Sequence, residues 1–119
     1  MKPVLPKTVL CVDDEIIGLR VRKLMLEGAG FNVLTASNGK QGLELFDANH
    51  VDVVVLDYYM PGLNGGEVAA ELRRRRADIP IIFFSAYFSL PLEALELANA
   101  FITKGDLPEV LIDKIEQLT

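Results

Sequence analysis

The sequence predicts an α/β fold in which a doubly wound, five-stranded parallel sheet is covered by five helices. Short apolar runs rich in β-branched and aromatic residues alternate with segments whose apolar residues recur every three or four positions. Such runs are typical of strands buried on both faces, and strands that alternate with helices need crossovers that make the sheet parallel. The length of 119 residues corresponds to one domain.

The strands are predicted from the apolar runs. Three runs are strong, at residues 9–12, 53–56 and 81–84, and two are weaker, at 31–35 and 101–103. Because weak runs suit the edges of a sheet, we expect the second and fifth strands to lie there.

Five helices are predicted between and after these strands. Gly28 and Gly30 are expected to end the first helix, and Asn38 to open the second. Pro80 follows the third helix, and Pro91 marks the start of the fourth. The positions predicted to face the core are Ile17, Val21, Leu24, Met25; Gly39, Gly42, Leu43, Phe46; Val68, Ala69, Leu72; Leu92, Leu95, Ala98; and Leu107, Leu111, Ile115, Leu118.

Composition narrows the possible functions. Twelve basic against 17 acidic residues leave a net charge of −5, so direct binding of nucleic acid is not expected. The single cysteine, Cys11, argues against a disulfide framework and suits a reducing compartment. No apolar run approaches the roughly 18 residues of a membrane helix, so we expect a cytoplasmic protein without membrane contact. Residues 1–7 are predicted to form a loose arm before a domain at 8–119.

Polar residues stand at the ends of four predicted strands. Asp13 and Asp14 follow the first strand and Asp57 follows the third. Ser85 ends the fourth strand and Lys104 follows the fifth. Because ligands of such sheets bind outside the carboxyl ends of the strands, we expect these side chains to converge. Neighbouring carboxylates repel each other and need a counter-ion, and a few oxygen ligands suit Mg²⁺.

Asp57 is the candidate nucleophile of this group. It follows four apolar residues and precedes the turn Met60-Pro61-Gly62, which places its side chain at a loop. A carboxylate can attack phosphorus when a metal neutralises the incoming group and a fixed cation and a hydroxyl hold its oxygens. Mg²⁺, Lys104 and Ser85 would supply those three roles. Glu15 suits either this cluster or an exposed first turn of a helix.

The strand-end motifs, taken in chain order, resemble those of the response-regulator receiver domains of two-component signalling systems. The resemblance covers about residues 8–118. The residues that carry the resemblance are Val12-Asp13-Asp14-Glu15, Leu56-Asp57-Tyr58-Tyr59-Met60-Pro61 with Gly65, Phe84-Ser85-Ala86 and Phe101-Ile102-Thr103-Lys104. The resemblance implies a flavodoxin-like strand order of 2-1-3-4-5. It also implies a signalling module that catalyses only its own phosphorylation and dephosphorylation, and is not an enzyme in the turnover sense.

The resemblance assigns roles to individual residues. Asp57 would accept a phosphoryl group from a partner histidine kinase or phosphotransfer protein. Asp14 would bind Mg²⁺ directly and Asp13 mostly through water, with Asp57 and the main-chain carbonyl of Tyr59 as further ligands. Lys104 would hold the phosphoryl oxygens.

A conformational switch is also implied. Ser85 and Phe101 match the switch pair of the family, in which the hydroxyl moves toward the phosphate and the ring turns inward. The signal would then pass to a downstream protein, or to an output domain that is not in this chain.

The sequence departs from the family pattern in two places. Gly105 stands where proline is usual, and we predict a trans Lys104-Gly105 bond with unusual dihedrals at Gly105. The segment from Ser85 to Lys104 is shorter than usual, so the fourth helix should be short or displaced. Tyr59 and Tyr87 would flank the path of attacking water and slow loss of the phosphoryl group, unless they only pack on the surface.

Three alternative functions are disfavoured by the sequence. A phosphatase or phosphotransferase of the haloacid-dehalogenase type would need an acid where Tyr59 stands. A nucleotide or flavin carrier would need a glycine-rich loop in place of the acidic residues after the first strand. A degenerate receiver that only docks proteins is disfavoured by the intact acids, hydroxyl and lysine.

Three other features are predicted to be structural. Cys11 lies within a buried strand and should pack in the core. His50 lies in a loop and should be a surface residue. The four arginines at 73–76 end the third helix and should be solvated there.

Overall fold

A computed structural model describes residues 5–119, in which five strands alternate with five helices as predicted. The elements are β1 (Thr8–Val12), α1 (Ile16–Gly28), β2 (Asn32–Ala36), α2 (Gly39–Ala48), β3 (Val53–Leu56), α3 (Gly65–Arg75), β4 (Ile81–Ser85), α4 (Leu92–Leu95), β5 (Ala100–Thr103) and α5 (Pro108–Leu118). Residues 1–4 of the predicted arm lie outside the described part, and residues 5–7 precede β1 as exposed coil. The domain start at residue 8 stays a prediction.

All five strands are parallel and lie in the order β2-β1-β3-β4-β5, which confirms the expected order 2-1-3-4-5. The two weak runs, β2 and β5, form the edges as predicted. Val12 pairs with Leu56 and Leu56 with Phe83, so β1, β3 and β4 end close together. This register brings the residues that follow these three strands together at the carboxyl ends of the sheet.

The core consists of two apolar layers, one on each face of the sheet. Leu10 and Val12 of β1 face the layer that contains α2 and α3, whereas Val9 and Cys11 face the layer that contains α1 and α5. Cys11 is fully buried, and burial raises the pKa of its thiol to about 12. The thiol therefore stays protonated at neutral pH, and its predicted packing role is confirmed.

The predicted inner face of α1 is wrong at three of its four positions, and only Met25 packs, half-buried, against the core. Ile17, Val21 and Leu24 are 81%, 62% and 71% exposed, and α1 buries Leu19, Arg22 and Leu26 instead. Both sets have helical spacing, but the second set contains a charged residue, Arg22, and was therefore not predicted to be buried. Arg22 can be buried because it pairs with Asp13. As a result α1 carries an exposed apolar stripe.

The other helices agree with the sequence in most respects. Every predicted inward position of α2 and α3 is buried, and in α5 Leu111 and Ile115 are buried. Leu92 and Leu107 were predicted to face inward and are instead exposed; Leu92 is the first residue of α4, and Leu107 precedes α5 as its N-cap. The prediction of a short fourth helix is confirmed, since α4 has four residues. Within residues 5–119, every helix is too short or too polar to cross a bilayer.

The arginines at 73–76 are not a uniformly solvated helix end. Arg73 Nε donates to the carbonyl of Leu97 at 3.0 Å, and its Nη2 donates to Asn99 Oδ1 at 2.8 Å. Arg76 Nη1 donates to the carbonyl of Val51 at 2.7 Å. These bonds form because α3 ends beside other chain segments that present oxygen acceptors to the two guanidinium groups. Arg73 thereby ties α3 to the segment between α4 and β5.

Candidate functional site

Main-chain hydrogen bonds place the polar residues directly beyond the strand ends. The amide of Asp57 donates to the carbonyl of Val12 at 2.9 Å, which sets Asp57 beside Asp13. The amide of Lys104 donates to the carbonyl of Ser85 at 2.8 Å. The ladder hydrogen bonds of the sheet thus continue one residue past β3 and β5 and determine where the side chains of Asp57 and Lys104 start.

Three carboxylates form a cluster at this edge. Oxygens of Asp13, Asp14 and Asp57 lie within 4.8 Å of one another. Asp13 and Asp57 are 1% and 6% exposed, whereas Asp14 is exposed. A small set of carboxylate oxygens open on one side suits Mg²⁺, which keeps some of its waters when bound. The donor set therefore fits the metal that the sequence predicts.

Two cations lie against the cluster. Lys104 Nζ lies 2.7 Å from Asp13 Oδ2, 2.9 Å from Glu15 Oε1 and 3.5 Å from Asp57 Oδ2. Arg22 Nη2 lies 3.3 Å from Asp13 Oδ2. Arg22 could not be predicted as a site residue from the sequence, because charged residues on helices are mostly exposed to solvent. Glu15 lies outside the carboxylate cluster and pairs with Lys104 from an exposed position.

The charges of the site shift two pKa values. Burial and the negative charge of Asp13 raise the pKa of Asp57 from 3.8 to about 6, although Lys104 and the Tyr58 amide oppose the shift. Burial lowers the pKa of Lys104, but hydrogen bonds to Asp13 and Glu15 outweigh burial, so the pKa lies above its ordinary value. Lys104 is therefore a permanent cation, and Asp57 is mostly ionised at neutral pH.

The Ser85 hydroxyl is hydrogen-bonded to the main chain of its own loop. Ser85 is fully buried at the end of β4, and its Oγ accepts a hydrogen bond from the Tyr87 amide at 3.2 Å. Phe101 lies one strand away, opposite Phe83, and packs half-buried against the core layer of α2 and α3. The two predicted switch residues thus sit on neighbouring strands, β4 and β5.

Two tyrosine rings stand at the mouth of the site. The ring centroids of Tyr59 and Tyr87 are 4.4 Å apart, and both rings are about half exposed. They line a cleft of about 350 Å³ together with Asp14, Asp57 and Lys104. The two rings therefore border the same cleft as the Asp57 carboxylate.

Gly65 has no room for a side chain. At Gly65 a Cβ would lie 2.6 Å from Tyr58 Cα and would also clash with the carbonyl of Asp57, and the Gly65 amide donates to the Tyr58 carbonyl at 2.7 Å. Glycine is thus required where α3 begins against the Asp57 loop.

The Lys104-Gly105 bond is trans as predicted, because residues 5–119 contain no cis bond. The unusual dihedrals predicted for Gly105 are wrong, since its φ is not positive and the amide of Asp106 closes an ordinary turn onto Thr103.

Comparison with known families gives a match over most of the chain. The model described as the response regulator receiver domain matches residues 9–116. A probable transcriptional regulator, ycf27, of Cyanophora paradoxa is 38% identical over 115 residues, covering 94% of this chain and 48% of that protein. The positive alginate biosynthesis regulatory protein of Pseudomonas aeruginosa is 42% identical over 113 residues, covering 92% and 46%. The chain spans about half the length of these curated relatives.

Solved structures show the same fold. The response regulator protein TrrA from Thermotoga maritima, in complex with Mg²⁺-BeF, superimposes with a TM-score of 0.89 and 34% identity, covering 95% of this chain and 99% of that one. A complex of the histidine kinase ThkA with TrrA gives a TM-score of 0.86 and 32% identity, covering 94% and 97%.

Proposed function

The chain belongs to the response regulator receiver domain family, and we propose that Asp57 accepts a phosphoryl group from a partner histidine kinase or phosphotransfer protein. Members of this family are signalling modules rather than classical enzymes. The observation that carries the assignment is the position of Asp57, a buried carboxylate at a strand end between a second carboxylate and a lysine. The function is therefore a magnesium-dependent change of charge at one side chain.

The acidic cluster is the proposed magnesium site. Asp14 is the direct carboxylate ligand, Asp13 acts mostly through water, and Asp57 and the main-chain carbonyl of Tyr59 complete the set. Magnesium, when bound, offsets the negative charge of the incoming phosphoryl group. The fit is supported by the spacing of the three carboxylates and by their unequal burial, which leaves Asp14 on the solvent side.

The transfer needs an ionised Asp57. An oxygen of its carboxylate forms a bond to phosphorus while the bond from phosphorus to the donor nitrogen breaks, and that nitrogen keeps the electron pair. Lys104 lies 3.5 Å from Asp57 Oδ2 and can pair with a phosphoryl oxygen after a small movement. Hydrolysis by water returns Asp57 to a carboxylate, and this step resets the protein.

The response to phosphorylation involves Ser85 and Phe101. A phosphoryl group adds charge and three acceptor oxygens, so the Ser85 hydroxyl gains a strong hydrogen bond by turning from the Tyr87 amide to the phosphate. Phe101 is half-buried on the neighbouring strand and can move inward as the β4 end rearranges. This change would alter the surface around α4, β5 and α5.

The apolar stripe of α1 is the proposed docking surface for the phosphodonor. Ile17, Val21 and Leu24 are exposed on α1, and Leu107 is exposed at the start of α5 beside the Lys104 loop. Exposed apolar side chains in one area commonly mark a protein interface. The relative TrrA forms a complex with a histidine kinase, which supports a kinase as the occupant. Docking there would bring a phosphohistidine to the cleft of Asp57.

We propose that the signal leaves this domain through contact with another protein or with an output domain. The curated relatives are about twice as long, and they are named as regulators. We place the domain in the cytoplasm, acting on a downstream protein or on an output domain that this chain does not contain. Direct contact with nucleic acid is not part of the proposed role, in line with the net charge of −5.

The function is tested with a small phosphodonor. Wild type and Asp57→Asn are incubated with acetyl phosphate and Mg²⁺, or with beryllofluoride, and followed by intact mass and by spectroscopy. Wild type should gain the mass of one phosphoryl group and change its spectrum with beryllofluoride, and Asp57→Asn should do neither. A wild type that does neither would falsify the acceptor assignment and would favour a receiver that only docks proteins.

A further inference from the structure

Arg22 is a buried charge next to the acidic cluster, and it has no role in the phosphoryl transfer proposed above. It lies on α1, is 7% exposed, and its Nη2 approaches Asp13 Oδ2 at 3.3 Å. Its guanidinium carbon lies 4.5 Å from the centroid of the Phe84 ring. Burying a guanidinium is costly unless it is paired, and stacking on an aromatic ring restricts its position. Arg22 is thus held in a defined place against the metal site.

Two cations share one oxygen of Asp13. Lys104 Nζ lies 2.7 Å from Asp13 Oδ2, the same atom that Arg22 approaches, whereas Asp13 Oδ1 accepts a hydrogen bond from the Glu15 amide at 2.9 Å. Lys104 is farther from Asp57, at 3.5 Å. Before phosphorylation, therefore, Lys104 is associated mainly with Asp13 and Glu15.

We propose that Arg22 is a positioning residue for phosphoryl transfer, which keeps the charge of Asp13 balanced while Lys104 moves from Asp13 to the phosphoryl group. The inference rests on the proposed function, because it requires Asp57 to be the acceptor. Arg22 is suited to the role because its stacking on Phe84 keeps it in place, while the lysine is attached to a flexible stem. Lys104 can then leave without exposing an unpaired buried carboxylate.

Removal of the Arg22 charge should change two measurements in opposite directions. One positive charge fewer beside Asp13 makes the carboxylate cluster more attractive to Mg²⁺. At the same time Lys104 becomes the main cation of Asp13 and leaves it less readily, so phosphorylation becomes slower. A residue that only supports the fold would weaken metal binding and phosphorylation together.

The test compares Arg22→Met and Arg22→Lys with wild type. Mg²⁺ affinity is measured by isothermal titration calorimetry, and the rate constant of phosphorylation by acetyl phosphate is measured at saturating Mg²⁺ by intact mass. For Arg22→Met we expect Mg²⁺ binding about fivefold tighter and phosphorylation about tenfold slower. Arg22→Lys keeps the positive charge, so its Mg²⁺ affinity and its phosphorylation rate should be close to those of wild type. Arg20→Met is the matched control, because Arg20 is an exposed arginine on the same helix.

The outcomes separate this inference from the proposed function. If Arg22→Met leaves both quantities unchanged, or weakens both, Arg22 has no positioning role, although Asp57 can still be the acceptor. If wild type takes no phosphoryl group at all, the proposed function itself fails. If Arg22→Met does not fold, Arg22→Gln is judged by the same criteria, since it keeps a hydrogen-bond donor and removes the charge.

Discussion

Asp57 lies beside Asp13 at the edge of the sheet, and the negative charge of Asp13 acts together with burial to raise the pKa of Asp57 to about 6. The folded protein thus binds a proton at Asp57 more tightly than the unfolded chain does. Ionised Asp57 destabilises the fold, and this penalty is absent below pH 3.8 and complete above about pH 6. The functional carboxylate is therefore kept at a cost in stability.

Asp57→Asn should stabilise the metal-free protein at neutral pH. Because the substitution removes the ionised carboxylate, we expect the free energy of unfolding to rise by about 2 kcal/mol at pH 7.5 and to change little at pH 4. Urea denaturation at both pH values measures this. Asp113→Asn, at an exposed position on α5, is the control and should have no such pH-dependent effect. An Asp57→Asn protein less stable than wild type at pH 7.5 would contradict the prediction.

Asp14→Asn should separate metal binding from folding. Asp14 is exposed, so its loss should leave the urea midpoint in EDTA unchanged within error. Mg²⁺ affinity should fall by about tenfold, because one charged ligand of the cluster is lost. Calorimetric titration measures the affinity. Unchanged Mg²⁺ binding in a folded Asp14→Asn protein would remove Asp14 from the ligand set.

Tyr59 and Tyr87 should lengthen the lifetime of the aspartyl phosphate. Their rings border the same cleft as the Asp57 carboxylate and would hinder attacking water there, so we expect the double variant Tyr59→Ala with Tyr87→Ala to lose its phosphoryl group several-fold faster. Decay is followed by intact mass after removal of the phosphodonor. Phe88→Ala is the control, because Phe88 is a neighbouring aromatic residue that is 92% exposed and does not line the cleft. An unchanged lifetime in the double variant would leave surface packing as the role of the two rings.

Gly65→Ala should destabilise the protein and disturb the acceptor loop. The added methyl would meet the main chain of Asp57 and Tyr58, which cannot yield as a side-chain end can. We expect a loss of about 3 kcal/mol in the free energy of unfolding, as for an overpacked core position. The same change at Gly105, where no atom lies within 4 Å, should cost far less. Equal urea midpoints for the two variants would show that α3 can move away from the loop freely.

Leu24→Glu should reduce phosphotransfer from a histidine kinase without changing the reaction with acetyl phosphate. Leu24 lies on the exposed stripe of α1, so a carboxylate there should reduce phosphotransfer from a histidine kinase by tenfold or more, a loss typical of a central interface residue. The kinase is one found to phosphorylate the wild type by profiling kinases of the same organism. Labelling by acetyl phosphate should be unaffected. Leu92→Glu, an equally exposed leucine on α4, is the matched control, and equal transfer to both variants would place docking elsewhere.

Much of the fold could be predicted because its signals are local. The continuous apolar run of β3 requires burial on both faces, and glycine, asparagine and proline mark the helix ends through their own backbone preferences. The inner face of α1 could not be predicted in this way. Two sets of residues on α1 share the same helical spacing. Which set is buried depends on the ion pair between Arg22 and Asp13, and this pair forms only when α1 packs on the sheet.

The convergence of the strand-end acids, the serine and the lysine could be predicted from the sequence alone, since a parallel sheet brings the carboxyl ends of all its strands to one side. Three features become visible only in the folded molecule: Lys104 lies nearer Asp13 than Asp57, Arg22 is buried against Asp13, and Gly65 has no room for a side chain. These features depend on distances between side chains from different elements. Spacing along a chain contains no such distances, because they arise only when helices pack against the sheet.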